Sequence, residues 1–195
     1  MNRRVLLLGI FLLAGCAAPY HVREATDKFS DPAGPAFYTM SGNAIDYRDP
    51  LGAIKTSELN AYVMRARTTG KILGVGVDLF IVSTSPSGGN WLTVRVGDDL
   101  VFLADGQRIA VKAVSSSIDH SVTGTLGQIY TDRYDYARYP MTVEQLKAIA
   151  FAQSIEFKVQ GRNGYETFPR TNFKLLDSFM PNLQRFYSEQ IEPFL

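Results

Sequence analysis

Apolar and polar positions alternate along most of this chain, with a period of two through its middle and a period near 3.6 toward its C-terminal side. Residues 57–68 and 72–84 read as long strands, joined by a Thr69-Gly70-Lys71 turn. Ser85-Pro86-Ser87-Gly88-Gly89-Asn90 is a dense turn signal. A strand over 91–96 follows, in which Leu92, Val94 and Val96 alternate with Trp91, Thr93 and Arg95. Residues 100–104 and 107–114 flank Asp105-Gly106, a dipeptide suited to the left-handed positions of a type I′ hairpin turn. Further on, Ile155, Phe157 and Val159 alternate with Glu156, Lys158 and Gln160, and Asn163-Gly164 predicts a hairpin into 165–168. Such alternation implies a sheet with one packed face and one wet face.

Two helices are predicted late in the chain. Thr142-Val143-Glu144-Gln145 has the form of a capping box, and Met141 can pack on Leu146 as a hydrophobic staple. Val143, Leu146, Ile149 and Ala150 then share one face, which gives a helix over about 143–153. A second helix is expected after Asn172, with Leu176, Phe179, Leu183 and Phe186 on one side. Pro181 lacks an amide hydrogen, so it either kinks this helix or opens a separate segment. The expected fold is α+β but mainly β: an antiparallel sandwich or partial barrel covered by the two helices, with no internal repeat.

Residues 1–16 have another character. Arg3 and Arg4 precede an apolar run from Val5 to Leu13, which closes on Leu13-Ala14-Gly15-Cys16. A basic start, a short apolar stretch and small residues before a cut describe a secretory signal peptide. The apolar run is about half the ~20 residues that a membrane span requires. Leu13-Ala14-Gly15-Cys16 resembles the lipobox of bacterial lipoproteins, in which the cysteine becomes the first mature residue. That resemblance implies a diacylglyceryl group on the Cys16 sulfur, commonly with an acyl chain on its amine. Two or more acyl chains hold a protein stably to a bilayer without a spanning helix. Ala17 stands where an aspartate would, by the same family's sorting rule, retain the protein in the inner membrane. The implied location is therefore the periplasmic face of the outer membrane. Cys16 is the chain's only cysteine, so the rest of the protein must be stable without a disulfide.

From Ala17 to Ala36 the composition is rich in proline, glycine, alanine and charge, and reads as a flexible tether. The expected organisation is a signal peptide over 1–15, a lipidated Cys16 and tether over 16–36, and one domain over 37–195. As a coil, the tether would average roughly 25 Å end to end. The chain carries 20 basic and 19 acidic residues, and loss of Arg3 and Arg4 with the signal leaves the two nearly equal. This balance offers no concentrated positive field for nucleic acid.

Candidate catalytic chemistry is sparse. Of the two histidines, His21 falls in the expected tether and His120 in a polar loop. Asp119 and Ser121 adjoin His120, but neighbours in an extended segment point to opposite faces, so a triad would need partners from elsewhere. No metal-ligand spacing such as H-E-x-x-H or C-x-x-C occurs, and Asp98-Asp99 or Asp132 with Asp135 do not supply a full calcium loop. Gly74 and Gly76 lack phosphate-loop spacing, and fit a strand where crowding must be relieved.

The most suggestive binding feature is the Ile129-Tyr130-Thr131-Asp132-Arg133-Tyr134-Asp135-Tyr136-Ala137-Arg138-Tyr139 stretch. When extended, it places Tyr130, Tyr134 and Tyr136 on one face with Asp132 and Arg138. Such a face can stack on sugar rings or grip a peptide, and tyrosine is equally a favoured strand residue that covers a sheet. The reading favours a non-catalytic binding or assembly lipoprotein that docks an envelope protein or a cell-wall component. No cofactor beyond the covalent lipid is expected. An envelope hydrolase with a dispersed site, and a structural accessory of a secretion or conjugation apparatus, are the alternatives.

Overall fold

The computed structural model describes residues 20–25, 34–45, 55–85, 92–125, 128–169, 175 and 177–195, at 55–56, 83–85, 123–125 and 128–130 by their backbone alone. The expected signal peptide, Cys16, Trp91 and the expected start of the second helix at 173–176, apart from Leu175, lie outside the described residues.

Among the described residues, ten strands form two antiparallel sheets. The larger contains β1 (His21–Glu24), β2 (Ala36–Ser41), β3 (Lys55–Arg65), β4 (Ile72–Ser85), β7 (Ser115–Thr125) and β8 (Gln128–Met141), in the order β1-β2-β3-β4-β8-β7. The smaller contains β5 (Asp99–Ala104), β6 (Gln107–Lys112), β9 (Ile155–Gly161) and β10 (Gly164–Phe168), in the order β10-β9-β5-β6. Helices α1 (Val143–Ala150) and α2 (Phe179–Gln190) come late in the chain, and a 3-10 turn, Glu192–Phe194, follows α2. The fold is α+β and mainly β, and the larger sheet is not closed into a barrel.

Both sheets and both helices share one core. The larger sheet contributes Leu59, Val63, Val77, Leu79 and Tyr139. Against them come Leu100, Phe102, Phe157 and Val159 from the smaller sheet, and Leu146, Ile149, Leu183 and Phe186 from the helices. Strand alternation does the sorting, since β9 reads buried-exposed along Ile155 to Gln160. The aromatic rings knit the layers. Phe157 lies 5.5 Å from Phe102, 5.0 Å from Phe168 and 6.0 Å from Phe179, the last two as parallel stacks. Phe151 meets Tyr187 edge to face at 5.6 Å, across the α1–α2 contact.

The local signals act as their chemistry dictates. Asp105 and Gly106 both have positive φ, 48° and 82°, and turn β5 into β6 as a type I′ hairpin requires. The Asp105 carboxylate also accepts hydrogen bonds from the Gln153 and Ser154 amides at 2.9 and 2.8 Å, so one turn residue fixes the entry to β9. Thr142 caps α1: its hydroxyl accepts from the Gln145 amide, and the Gln145 side chain accepts from the Thr142 amide. Pro181 falls in the first turn of α2, where a missing amide hydrogen leaves no intrahelical bond unmade; the helix begins at Phe179, later than expected, and Leu175, Asp177 and Ser178 are not helical. In the second hairpin Arg162 and Asn163 are the turn residues, and Gly164 pairs with Gly161 at its base.

Three expectations need correction. His21–Glu24, read as tether from its charge and flanking proline, is a strand with four residues paired to β2. An edge strand needs only one apolar side, and Tyr20 and Val22 supply it by packing against the core. Residues 92–95 are not in a ladder. Leu92 and Val94 are buried, but the chain is held by a bond from the Arg162 amide to the Thr93 carbonyl, and Val96 points to solvent. His120 belongs to a strand, β7, and not to a loop.

Gly76 lets β4 lie close to its neighbours. A Cβ there would collide with the Tyr139 carbonyl oxygen and come within 2.7 Å of the Tyr62 hydroxyl. Backbone cannot yield as a side-chain tip can. Gly76→Ala is expected to cost about 2–3 kcal/mol, read as a lower urea midpoint with an unchanged m-value. Gly106→Ala meets no atom within 4 Å, so its cost comes only from the strained φ and should be smaller.

Candidate functional site

The outer face of the larger sheet is half-exposed where β1, β2, β3, β4 and β8 lie side by side. Pairing sets Asn60 against Asp78 and Asp78 against Arg138, so three strands bring an amide, a carboxylate and a guanidinium into one row. The next row sets Glu58 against Phe80 and Phe80 against Tyr136. These residues open into a cleft of about 430 Å³, with Arg23 and Phe37 on one side, Phe80 and Tyr136 on the other, and Asn60 and Asp78 between.

Arg138 is the organising group. Its Nε and an Nη donate to the two oxygens of Asp78 at 2.8 and 2.9 Å, and the same Nη donates to the Tyr136 hydroxyl at 2.7 Å. The guanidinium lies 4.4 Å from the centre of the Phe37 ring and 4.9 Å from that of Tyr62. Those two rings are themselves stacked at 5.2 Å. A planar cation that is both forked onto a carboxylate and laid on aromatic faces is held rigidly, which a lysine would not reproduce. The Asp78 hydrogen bonds, foremost, raise the Arg138 pKa further above its ordinary value, so it stays charged. Glu58 orders the neighbouring polar groups, accepting from the Asn60 amide at 3.0 Å and from the Gly42 backbone amide at 3.3 Å.

The expected tyrosine face is only partly brought into this cleft. Tyr136 and Arg138 line it. Tyr134 stands one pair further along β8 and stacks on Phe80 at 6.2 Å. Tyr130 pairs with Thr123 near the start of β8, and its side chain lies outside the described residues. Sequence reasoning missed Asp78, Phe37 and Phe80. Asp78 carried a usable signal, as a lone charge inside the otherwise apolar Val75-Gly76-Val77-Asp78-Leu79-Phe80-Ile81 run. A carboxylate buried in such a strand demands a cation.

Elsewhere, His120 is exposed on β7 and its backbone amide donates to the Asp119 carboxylate at 2.8 Å. Asp119 and Ser121 project from the opposite face of the strand. The acidic pairs considered for calcium are engaged in the fold. Asp98 accepts from the Arg95 amide, Asp99 pairs with Lys112 at 2.8 Å, and Asp135 pairs with Arg133 at 2.7 Å in the core. Among the described residues no group of three or more His, Cys, Asp or Glu could hold a metal ion.

Two predictions test this network. Arg138→Met strands the buried Asp78 carboxylate and should cost about 2–3 kcal/mol in urea unfolding, the modest end for such pairs because Arg138 keeps 32% of its side-chain surface. Adding Asp78→Asn should recover part of the loss, so that the double variant is less damaged than the sum of the singles. The second concerns alkali. Burial, and then the Asp78 carboxylate, push the Tyr62 phenol up to about 12 from an ordinary 10.0. The same two causes raise Tyr136. Between those limits the folded chain keeps protons that the unfolded chain has released, so stability is full below pH 10 and falls as pH rises through 12. Urea midpoints should follow that course, with a shallower alkaline fall in Tyr62→Phe. A fall of equal depth in the variant would remove Tyr62 from the account.

The chain matches no protein-family model, no curated protein and no solved structure.

Proposed function

We propose that the protein is a lipid-anchored component of the bacterial cell envelope. On this reading it is attached through Cys16 at the periplasmic face of the outer membrane, and it acts as a non-catalytic binding or assembly module for an envelope protein or cell-wall component. The Leu13-Ala14-Gly15-Cys16 signal supports the anchor. The outer-face cleft carries the binding role. Its aromatic edges, Phe37, Phe80 and Tyr136, offer stiff apolar contact, and the polar row between them is already fixed by internal hydrogen bonds. A site whose groups are held before the partner arrives loses little entropy on binding. Charges neutralised pairwise suit recognition better than proton transfer, which needs a group free to gain and lose a proton.

The anchor is tested by Cys16→Ser, which should abolish incorporation of a fatty-acid probe; equal labelling of the variant would remove the lipoprotein reading. The cleft is tested in intact cells with a photoreactive phenylalanine in place of Phe80, which preserves ring and backbone. The substituted protein should crosslink one defined envelope protein or wall fragment, whereas the same group at Tyr165, exposed on the smaller sheet, should not. No capture at position 80, together with turnover of wall material by the purified protein, would replace this reading with that of a hydrolase.

A further inference from the structure

We infer that the bilayer surface is the partner of the β1 edge, and that the domain is held against it at the corner where β1 meets α2. This rests on the lipid-anchored reading of Cys16 and deepens it.

Tyr20, four residues beyond Cys16, is already docked on the domain. The Tyr20 hydroxyl donates to Glu189 at 3.3 Å, and the Arg185 guanidinium lies 4.4 Å from the centre of the Tyr20 ring. Arg185 is in turn held by Glu189 at 2.7 Å. His21, Val22, Arg23 and Glu24 then pair with β2, and the Ala25 amide donates to the Phe37 carbonyl at 2.8 Å. The covalent distance from Cys16 to Tyr20 is at most ~14 Å, whatever the conformation of the link. A free tether ending at residue 36 would reach about 70 Å. The lipid is therefore attached to a corner of the folded body, with little slack.

Geometry then sets which surfaces are near the membrane. His21 cannot lie more than ~18 Å from Cys16. The opposite edge of the same sheet, β7, is five strands away, about 24 Å across the sheet at ordinary interstrand spacing. Arg23 is exposed at the near corner while Arg185 is paired with Glu189, so the short link, more than headgroup attraction, sets the placement. Arg23 lines the cleft as well, so the site of the proposed partner lies on the membrane-proximal part of the domain.

The test uses the lipidated protein, in which Cys16 is blocked as a thioether and any added cysteine is the sole free thiol. His21→Cys and Val122→Cys, both at exposed positions, are each labelled with a fluorophore and placed in phosphatidylethanolamine–phosphatidylglycerol vesicles carrying a headgroup spin label. Fatty-acid labelling is read on the same samples. Lipid incorporation with severalfold stronger quenching at position 21 than at 122 supports the inference. Lipid incorporation with equal quenching, or stronger quenching at 122, overturns it and leaves the anchor intact. Absence of lipid overturns both. A flexible Gly-Ser insertion between Pro19 and Tyr20 should erase most of the difference, and a difference that survives the insertion would show that the short link is not its cause.

Discussion

Phe157 is the contact on which the two halves of this fold depend. It sits in a central pair of β9, and its ring meets Phe102, Phe168 and Phe179, from β5, β10 and α2. Helix α2 packs on β3, and α1 bridges β4 and β5. Load is thus passed from the smaller sheet through stacked rings to the helices, and from them to the larger sheet. With no disulfide available to the described body, this continuous apolar core carries its stability. The two sheets are joined by packing, and each can keep its own outer face for other work.

The larger sheet uses its outer face in an unusual way. Outer faces of antiparallel sheets are commonly solvated by isolated polar side chains. Here the groups are cross-linked: Asp78 to Arg138, Arg138 to Tyr136, and Glu58 to Asn60. Asp78 is nearly buried, so its charge is tolerated only because the guanidinium is always present. The same arrangement that makes the sheet stable stiffens the cleft. Covering the sheet and shaping the cleft are therefore not competing accounts of these residues, since Tyr136 does both.

Much of the fold was legible because its signals are local. Asp105-Gly106 fixes a hairpin through two positive φ angles, and Thr142 with Gln145 closes a box within four residues. What escaped was set by partners far away in the chain. His21–Glu24 has too little apolar character to declare itself, and becomes a strand because β2 offers it a free edge. Residues 92–95 have the alternation of a strand but end up alongside the β9–β10 turn, where the Thr93 carbonyl accepts from the Arg162 amide. The site divides in the same way. Tyr136 and Arg138 could be placed on one face by counting in twos. The register of β4 against β8 alone brings Asp78, sixty residues earlier, into their reach.

The clasp between the two ends of the described chain also bears on the order in which the molecule is completed. Tyr20 waits for Glu189, 169 positions later, and Arg65 waits for Gln190, 125 positions later, before its guanidinium is enclosed between Tyr38 and Phe194. Contacts of such long sequence separation form late, because the closure of large loops precedes any gain from them. A chain that emerges from its N-terminal side therefore has its first strand synthesised long before the helix that pins it exists. Until α2 arrives, β1 is held only by its ladder to β2, and the flank of β3 lacks its cover. Helix α2 is the latch of the fold, and that corner closes only once the C-terminal residues are in place.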